Sequence, residues 1–209
     1  MRLPNAAYQA HPWRISAIAP DFQLVDAWQL PVEGGPEDFD AFLQIMSDLN
    51  TRQKAPAVVR ALFRLRDSMG RWFGWKDGGW DGNSDKLPIP GCTETTLRVR
   101  LPDYLKQTVP VPERCAAKFR AVYRTSSESA EELSNVTVHA IKHLVWVDRG
   151  DGRYQGQMGV FVKPRGWFGA LYMRLIGPFR RLLVYPAGVR LIGDAWAARS
   201  HESGMHSRT

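Results

Sequence analysis

Two histidines four residues apart, His139 and His143, are the side chains whose type and spacing most invite chemistry. On a helix that spacing brings two imidazoles onto one metal ion. The surrounding segment, VTVHAIKHLVWV over residues 136–147, is rich in β-branched and aromatic residues and predicts a strand. On a strand, residues four apart lie ~13 Å from each other, too far to share an ion. Both histidines still share a face with Thr137, Ile141 and Val145. If that face lines a cavity, either imidazole would hydrogen-bond a ligand or act as a general base. If it is the outer face, they are surface groups. The opposite face (Val136, Val138, Ala140, Leu144 and Trp146) is more apolar apart from Lys142, so phase alone leaves the choice open. Asp26, an acid among Phe22, Leu24, Trp28 and Leu30, is the third acid–base candidate.

Other constellations carry less. Asp81-Gly82-Asn83-Ser84-Asp85 opens like a calcium loop. The sixth position, where the turn needs Gly, is Lys86, and the twelfth, where a bidentate Glu belongs, is Cys92. A polar loop is the better reading. Cys92 and Cys115 lack CxxC spacing, and no His or cation near Cys92 in sequence would lower its thiol pKa. No Gly-x-Ser-x-Gly elbow presents a serine nucleophile. No two titratable groups are spaced for a paired mechanism. Neither a metal nor a cofactor is expected.

The elements that would position these groups follow from periodicity. Residues 22–30 predict a half-buried strand with Phe22, Leu24, Trp28 and Leu30 on one face. Pro36, Glu37 and Asp38 start a helix, since Pro fits the first turn and carboxylates favour its positive end; Phe39, Phe42, Leu43, Met46 and Leu49 follow at helical spacing. A second helix is expected from Pro56, with Val58, Leu62, Leu65, Met69 and Trp72 along one stripe. Residues 75–92 hold four Gly and two Pro without periodicity and predict a long flexible loop. The period then becomes two: Leu97, Val99 and Leu101 alternate with Arg98 and Arg100, and 119–125 alternates likewise. Residues 136–147 and 154–162 flank Asp148-Arg149-Gly150-Asp151-Gly152, the pattern of a β-hairpin. Phe168, Leu171, Tyr172, Leu175, Ile176 and Phe179 recur at helical spacing within 165–198, where Pro178 and Pro186 should kink or divide the helix.

Composition bounds the rest. The 209 residues carry 28 Lys+Arg against 21 Asp+Glu, are 44% apolar and include two cysteines. That balance excludes wholesale disorder, and no run of ~18 uncharged apolar residues exists to span a membrane. The N-terminus lacks the apolar core of a secretory signal, and two Cys without metal spacing fit a reducing compartment; a cytoplasmic protein is expected. One domain over 1–209 is expected, with an ordered core of about 13–198 and a tail at 200–209. Strands and helices segregate along the chain, which makes an α+β fold. The net charge is +7. Between Lys163 and Arg199 stand seven cations (Lys163, Arg165, Arg174, Arg180, Arg181, Arg190 and Arg199) against Asp194.

This element order is similar to the helix-grip fold of the START/polyketide-cyclase-like (SRPBCC) superfamily. Ser134-Asn135-Val136-Thr137-Val138-His139, Tyr154-Gln155-Gly156-Gln157-Met158, Val162-Lys163-Pro164-Arg165-Gly166, Ala170-Leu171-Tyr172-Met173 and Gly177-Pro178-Phe179-Arg180 resemble one bacterial family of unknown function within it. That family occurs alone or behind NAD(P)-binding epimerase or reductase domains; no GxGxxG fingerprint marks such a domain here. The resemblance is sharpest over about 118–196. It implies an antiparallel sheet curled around a long C-terminal helix, with a ligand cavity between them, and no established catalytic residues. Tyr123, Trp146, Tyr154, Met158, Phe168, Tyr172 and Trp196 lie on the elements that would wrap that cavity, with His139 and His143 as polar contacts.

The expected function is therefore binding of a small apolar or aromatic ligand, with an anionic group meeting Arg180 or Arg174. The alternative is a cyclase-, hydrolase- or isomerase-like enzyme using His139, His143 or Asp26. A second alternative is attachment to a membrane surface through 165–193, where Trp167, Phe168, Leu171, Leu175, Phe179 and Leu182 share a segment with several Arg. Nucleic-acid binding is disfavoured, because the cations sit on one apolar helix without a recognition motif. The sequence leaves the oligomeric state open.

Overall fold

In a computed structural model of the chain, which describes residues 1–51, 96–109, 119–134 and 138–206, the β-branched runs pair into one open antiparallel sheet. Its strands are β1 (Arg2–Leu3), β2 (Gln23–Gly34), β3 (Arg120–Arg124), β4 (Glu128–Ser134), β5 (Val138–Asp148) and β6 (Tyr154–Pro164), in the order β1-β2-β6-β5-β4-β3. The first long strand thus pairs with the last. The helices are α1 (Asn5–Gln9), α2 (Arg14–Ile18), α3 (Phe39–Thr51), α4 (Asp103–Lys106), α5 (Gly166–Phe179) and α6 (Tyr185–His206).

The β5–β6 hairpin forms where its Asp/Gly turn predicts. Gly150, Asp151 and Gly152 all take positive φ, a conformation that two glycines adopt without a Cβ clash. The helix after β6 divides as its prolines require. Pro178 lies in the last turn of α5, Arg180–Val184 widen into a π-helical turn, and Pro186 stands in the first turn of α6. The helix then runs to His206, through residues expected as a tail.

Both faces of the sheet are covered, by different parts of the chain. One face packs Tyr8, Trp13, Ile15, Ile18, Phe22, Leu97, Leu101 and Leu105 against Val122, Ala130, Ile141, Val145 and Phe161. The other packs α3 and α6, through Phe39, Phe42, Met46, Ile192 and Trp196, against Trp28, Leu30, Val32, Leu144, Trp146 and Met158. The first dozen residues, expected outside the core, supply Tyr8 to it.

Two expectations are corrected, and one choice that phase left open is decided. Leu97–Arg100 is a 3-10 turn, not a strand: Leu97, Leu101 and Leu105 are buried while Val99 is 61% exposed. The burial period there is four, and a run of Leu-Arg-Val-Arg-Leu fits four as well as two. Second, β2 does not keep Phe22, Leu24, Trp28 and Leu30 on one face. Leu24 pairs with Phe161 and Asp26 with Val160, so Val25 is an extra residue, a β-bulge that reverses the phase. Leu24 therefore faces the N-terminal layer, while Asp26, Trp28 and Leu30 face the helices. The choice left open was the histidine face of β5: it is neither open surface nor the face under the C-terminal helix, and the N-terminal layer covers it. The helix expected from Pro56, the loop at 75–92 with Asp81–Asp85, and Cys92 and Cys115 lie outside the described residues.

Candidate functional site

On the N-terminal face, alternation along two neighbouring strands places two glutamates of β4 beside two histidines of β5. Glu128 and Glu132 are four apart, as are His139 and His143, and the antiparallel register sets them as two diagonal pairs. His143 is fully buried. Its Nδ1 lies 2.9 Å from the Tyr8 hydroxyl and its Nε2 3.4 Å from Glu128 Oε2. Tyr123 donates to the same Glu128 oxygen at 3.0 Å, and Arg14 donates to Glu128 through its backbone N–H (3.1 Å) and its guanidinium (2.9 Å). Burial holds the His143 imidazole below its ordinary pKa, against the pull of Glu128. The neutral ring then carries its proton on Nε2, facing the carboxylate, and accepts from Tyr8 at Nδ1. Burial pushes Glu128 up, but hydrogen bonds from His143, Tyr123 and the Arg14 backbone outweigh it and hold the carboxyl below its ordinary range.

His139 repeats the arrangement, with its Nε2 2.8 Å from Glu132 Oε2 and the edge of its ring against Phe22. Glu132 also accepts from the Leu97 backbone N–H at 3.0 Å and from the Thr96 hydroxyl. These bonds outweigh burial and hold its carboxyl low as well. Each carboxylate thus spends its lone pairs on groups of the protein, and the two pairs tie the strands to the segments that cover them.

The opposite face carries the aromatic supply. Trp146 stacks on Phe42 and Tyr154, packs against Phe39 and Trp196, and donates its indole N–H to the Gly35 carbonyl at 2.8 Å. Gly156 makes room for it: a Cβ there would lie 3.3 Å from the indole ring. Trp196 donates to the Glu33 carbonyl, and Met158 is buried in the same cluster. These aromatic residues fill a packed core.

Where α5 and the π-helical turn cross the ends of β2 and β6, packing opens into a cleft of about 450 Å3. Leu24, Val25, Val162, Pro164, Ala170, Met173 and Pro178 give it apolar walls, and Asn5, Gln23, Arg174, Arg180 and Arg181 give it polar ones. Asp26, fully buried behind it, accepts from Arg180 Nη2 at 3.0 Å and from Arg181 Nε at 2.8 Å. Consecutive residues of an α-helix point about 100° apart; the wider π turn accompanies two adjacent guanidiniums converging on one carboxylate. Both Asp26 oxygens are committed to cations, so the group anchors helix to sheet. Three polar groups at the cleft are left over. Among the described residues, buried Arg180 Nε and Asn5 Oδ1 find no hydrogen-bond partner, and Arg174 makes no ion pair or hydrogen bond.

The residues expected to share one cavity are therefore in three places. His139, His143 and Tyr123 lie under the N-terminal layer; Trp146, Tyr154, Met158 and Trp196 lie in the helix-face core; Arg180 and Arg174 line the cleft with Asp26 behind it. Tyr172 is half-buried on α5, and the Phe168 side chain lies outside the described ones. Sequence reasoning missed Glu128 and Glu132, whose spacing of four mirrors that of the histidines and was there to be matched. It also missed Asn5 and Tyr8, which no local signal connects to β2 or β5.

No curated protein and no solved structure matches this chain. A family model does, over residues 18–187, which include β2–β6, α5, the π-helical turn and every cleft residue except Asn5. The chain belongs to the protein family of unknown function DUF2867.

Proposed function

We propose that this protein is a small-molecule-binding domain whose ligand occupies the cleft beneath α5, an apolar body against Val162, Ala170 and Met173 and an anionic group against Arg174 and Arg180. The observation that carries the reading is the set of unsatisfied groups. Buried donors and acceptors are almost always paired, yet among the described residues Arg180 Nε and Asn5 Oδ1 find no hydrogen-bond partner, and Arg174 beside them makes no ion pair. A guanidinium pair is well suited to a carboxylate or phosphate, and a cleft of this size is within the range that small ligands occupy. The helix-grip reading is supported by the pairing of the first long strand with the last and by the long helix laid across the sheet. The ligand differs from the expected aromatic one in its contacts, because no described aromatic ring lines the cleft.

The acid–base alternative draws its histidines from the other face of the sheet. Their partners are all internal, which favours a structural role for both His–Glu pairs. Native mass spectrometry of the purified protein, followed by denaturation and analysis of what is released, tests the binding reading. A stoichiometric acidic amphiphile is the expected result. A bare mass, together with no saturable binding of the apolar anion anilinonaphthalene sulfonate at the cleft, would sink it.

A further inference from the structure

The outer face of the C-terminal helical segment is apolar where a helix packed on a sheet is ordinarily polar. Trp167 is 78% exposed, Leu171 45%, Leu175 57%, Phe179 49% and Leu182 73%. Successive steps of four, four, four and three residues align them along one side of α5 and the π-helical turn, a ridge roughly 22 Å long. The inner side is separately satisfied, with Gly169 and Gly177 buried and Met173 and Ile176 half-buried. The exposed row is therefore not needed to hold the helix in place. An apolar strip of this extent on a protein surface marks a contact site.

Its charge setting selects the partner. Residues 152–193 contain seven cations and no Asp or Glu. Arg174 lies one residue before Leu175 and three after Leu171, so it borders the ridge, and Arg190 follows about two helical turns beyond Leu183. Both are exposed and make no ion pair with the described residues. A second copy docking ridge to ridge around a two-fold axis would bring these like charges together, which costs association energy. A convex ridge of Trp, Leu and Phe edged by Arg instead fits an acyl–headgroup boundary carrying negative charge. We propose that this ridge docks the protein on the surface of an anionic lipid membrane, with α5 lying in the interface plane. No helix among the described residues is long and apolar enough to cross a membrane, so the contact is with one leaflet. The ridge shares only the bordering Arg174 with the cleft; its apolar side chains do not line the cleft, and neither they nor Arg190 depend on the ligand reading.

The test is co-sedimentation of the full chain with phosphatidylcholine vesicles, with and without phosphatidylglycerol. The chain should pellet with the anionic vesicles and be released by salt. Leu175→Glu with Leu182→Glu should weaken partitioning by more than ~10-fold, with the circular dichroism spectrum and melting temperature unchanged because both positions are exposed. Arg190→Gln should weaken it roughly five-fold. The proposal is overturned if the chain fails to pellet with anionic vesicles or if the double variant pellets like the parent. A dimer seen by light scattering that the double variant dissolves, without vesicle binding, would also overturn it and assign the ridge to a second copy.

Discussion

Under the N-terminal layer, polar side chains are buried and matched. His143, Tyr123, Glu128 and Glu132 are at most 3% exposed, and each has its partner inside the protein. At the cleft beneath α5 the opposite holds, since Arg180 Nε, Asn5 Oδ1 and the Arg174 guanidinium find no partner among the described residues. The contrast shows that buried histidines and glutamates do not by themselves mark a binding site. A matched network stabilises and orients its strands, whereas surplus hydrogen-bonding capacity beside an opening is what a ligand can satisfy.

Substitutions can break either side of this contrast. The largest effect is expected in the aromatic core, where Trp146→Ala should cost about 3–5 kcal/mol, read as a lowered denaturation midpoint. Glu128→Ala should cost about 3 kcal/mol, because it leaves Tyr123 and His143 buried without their acceptor; a loss under ~0.5 kcal/mol would show that the network is not matched as described. Gly159→Ala is expected to cost about 1–3 kcal/mol. A Cβ there would lie 2.7 Å from the Tyr8 ring, so Tyr8 must shift and its bond to His143 should weaken, visible as a changed imidazole chemical shift.

The network also makes stability depend on pH, with a sign that can be worked out. His143 sits below its ordinary 6.5, so as pH falls past that value the unfolded chain takes up a proton before the folded one does, and stability drops. Glu128 and Glu132 sit below their ordinary 4.5, so their stabilisation is fully present above that value and is lost as pH falls through their folded-state range. Denaturant titrations from pH 7 down to 5 should show declining stability that His143→Gln flattens. A parent protein equally stable at both pH values would contradict the neutral, buried imidazole. The smallest effect on stability belongs to the cleft: Arg174→Gln should change the midpoint by less than ~0.5 kcal/mol while weakening capture of anionic amphiphiles. That separation of stability from binding is what distinguishes the two regions.

Much of the architecture was legible locally. The Asp148–Gly152 turn with its flanking β-branched runs specifies the β5–β6 hairpin, because turn geometry and period two are both short-range. Pro178 and Pro186 specify the divided C-terminal helix for an equally local reason, the missing amide donor. The candidate site was legible only in pieces. Arg174 and Arg180 stood out by charge, but Asn5 meets the cleft only because α1 packs beside β2, 19 residues from the Leu24 carbonyl it binds. The aromatic residues misled, because a Trp or Tyr that fills a core has the same sequence signature as one that lines a pocket.

The sequence by itself determined an α+β chain, its hairpin, the division of its last helix and the one-sided charge of residues 163–199, all properties of neighbours in the chain. Only the tertiary structure decided which face of β5 meets which layer, that Glu128 and Glu132 answer the two histidines, and that Val25 bulges so that Asp26 meets two arginines. Side-chain phase on a strand has two solutions that local energy does not separate. The choice between them is made by what packs above and below, here a layer drawn from residues 8–22 and 97–105 on one face and helices α3 and α6 on the other.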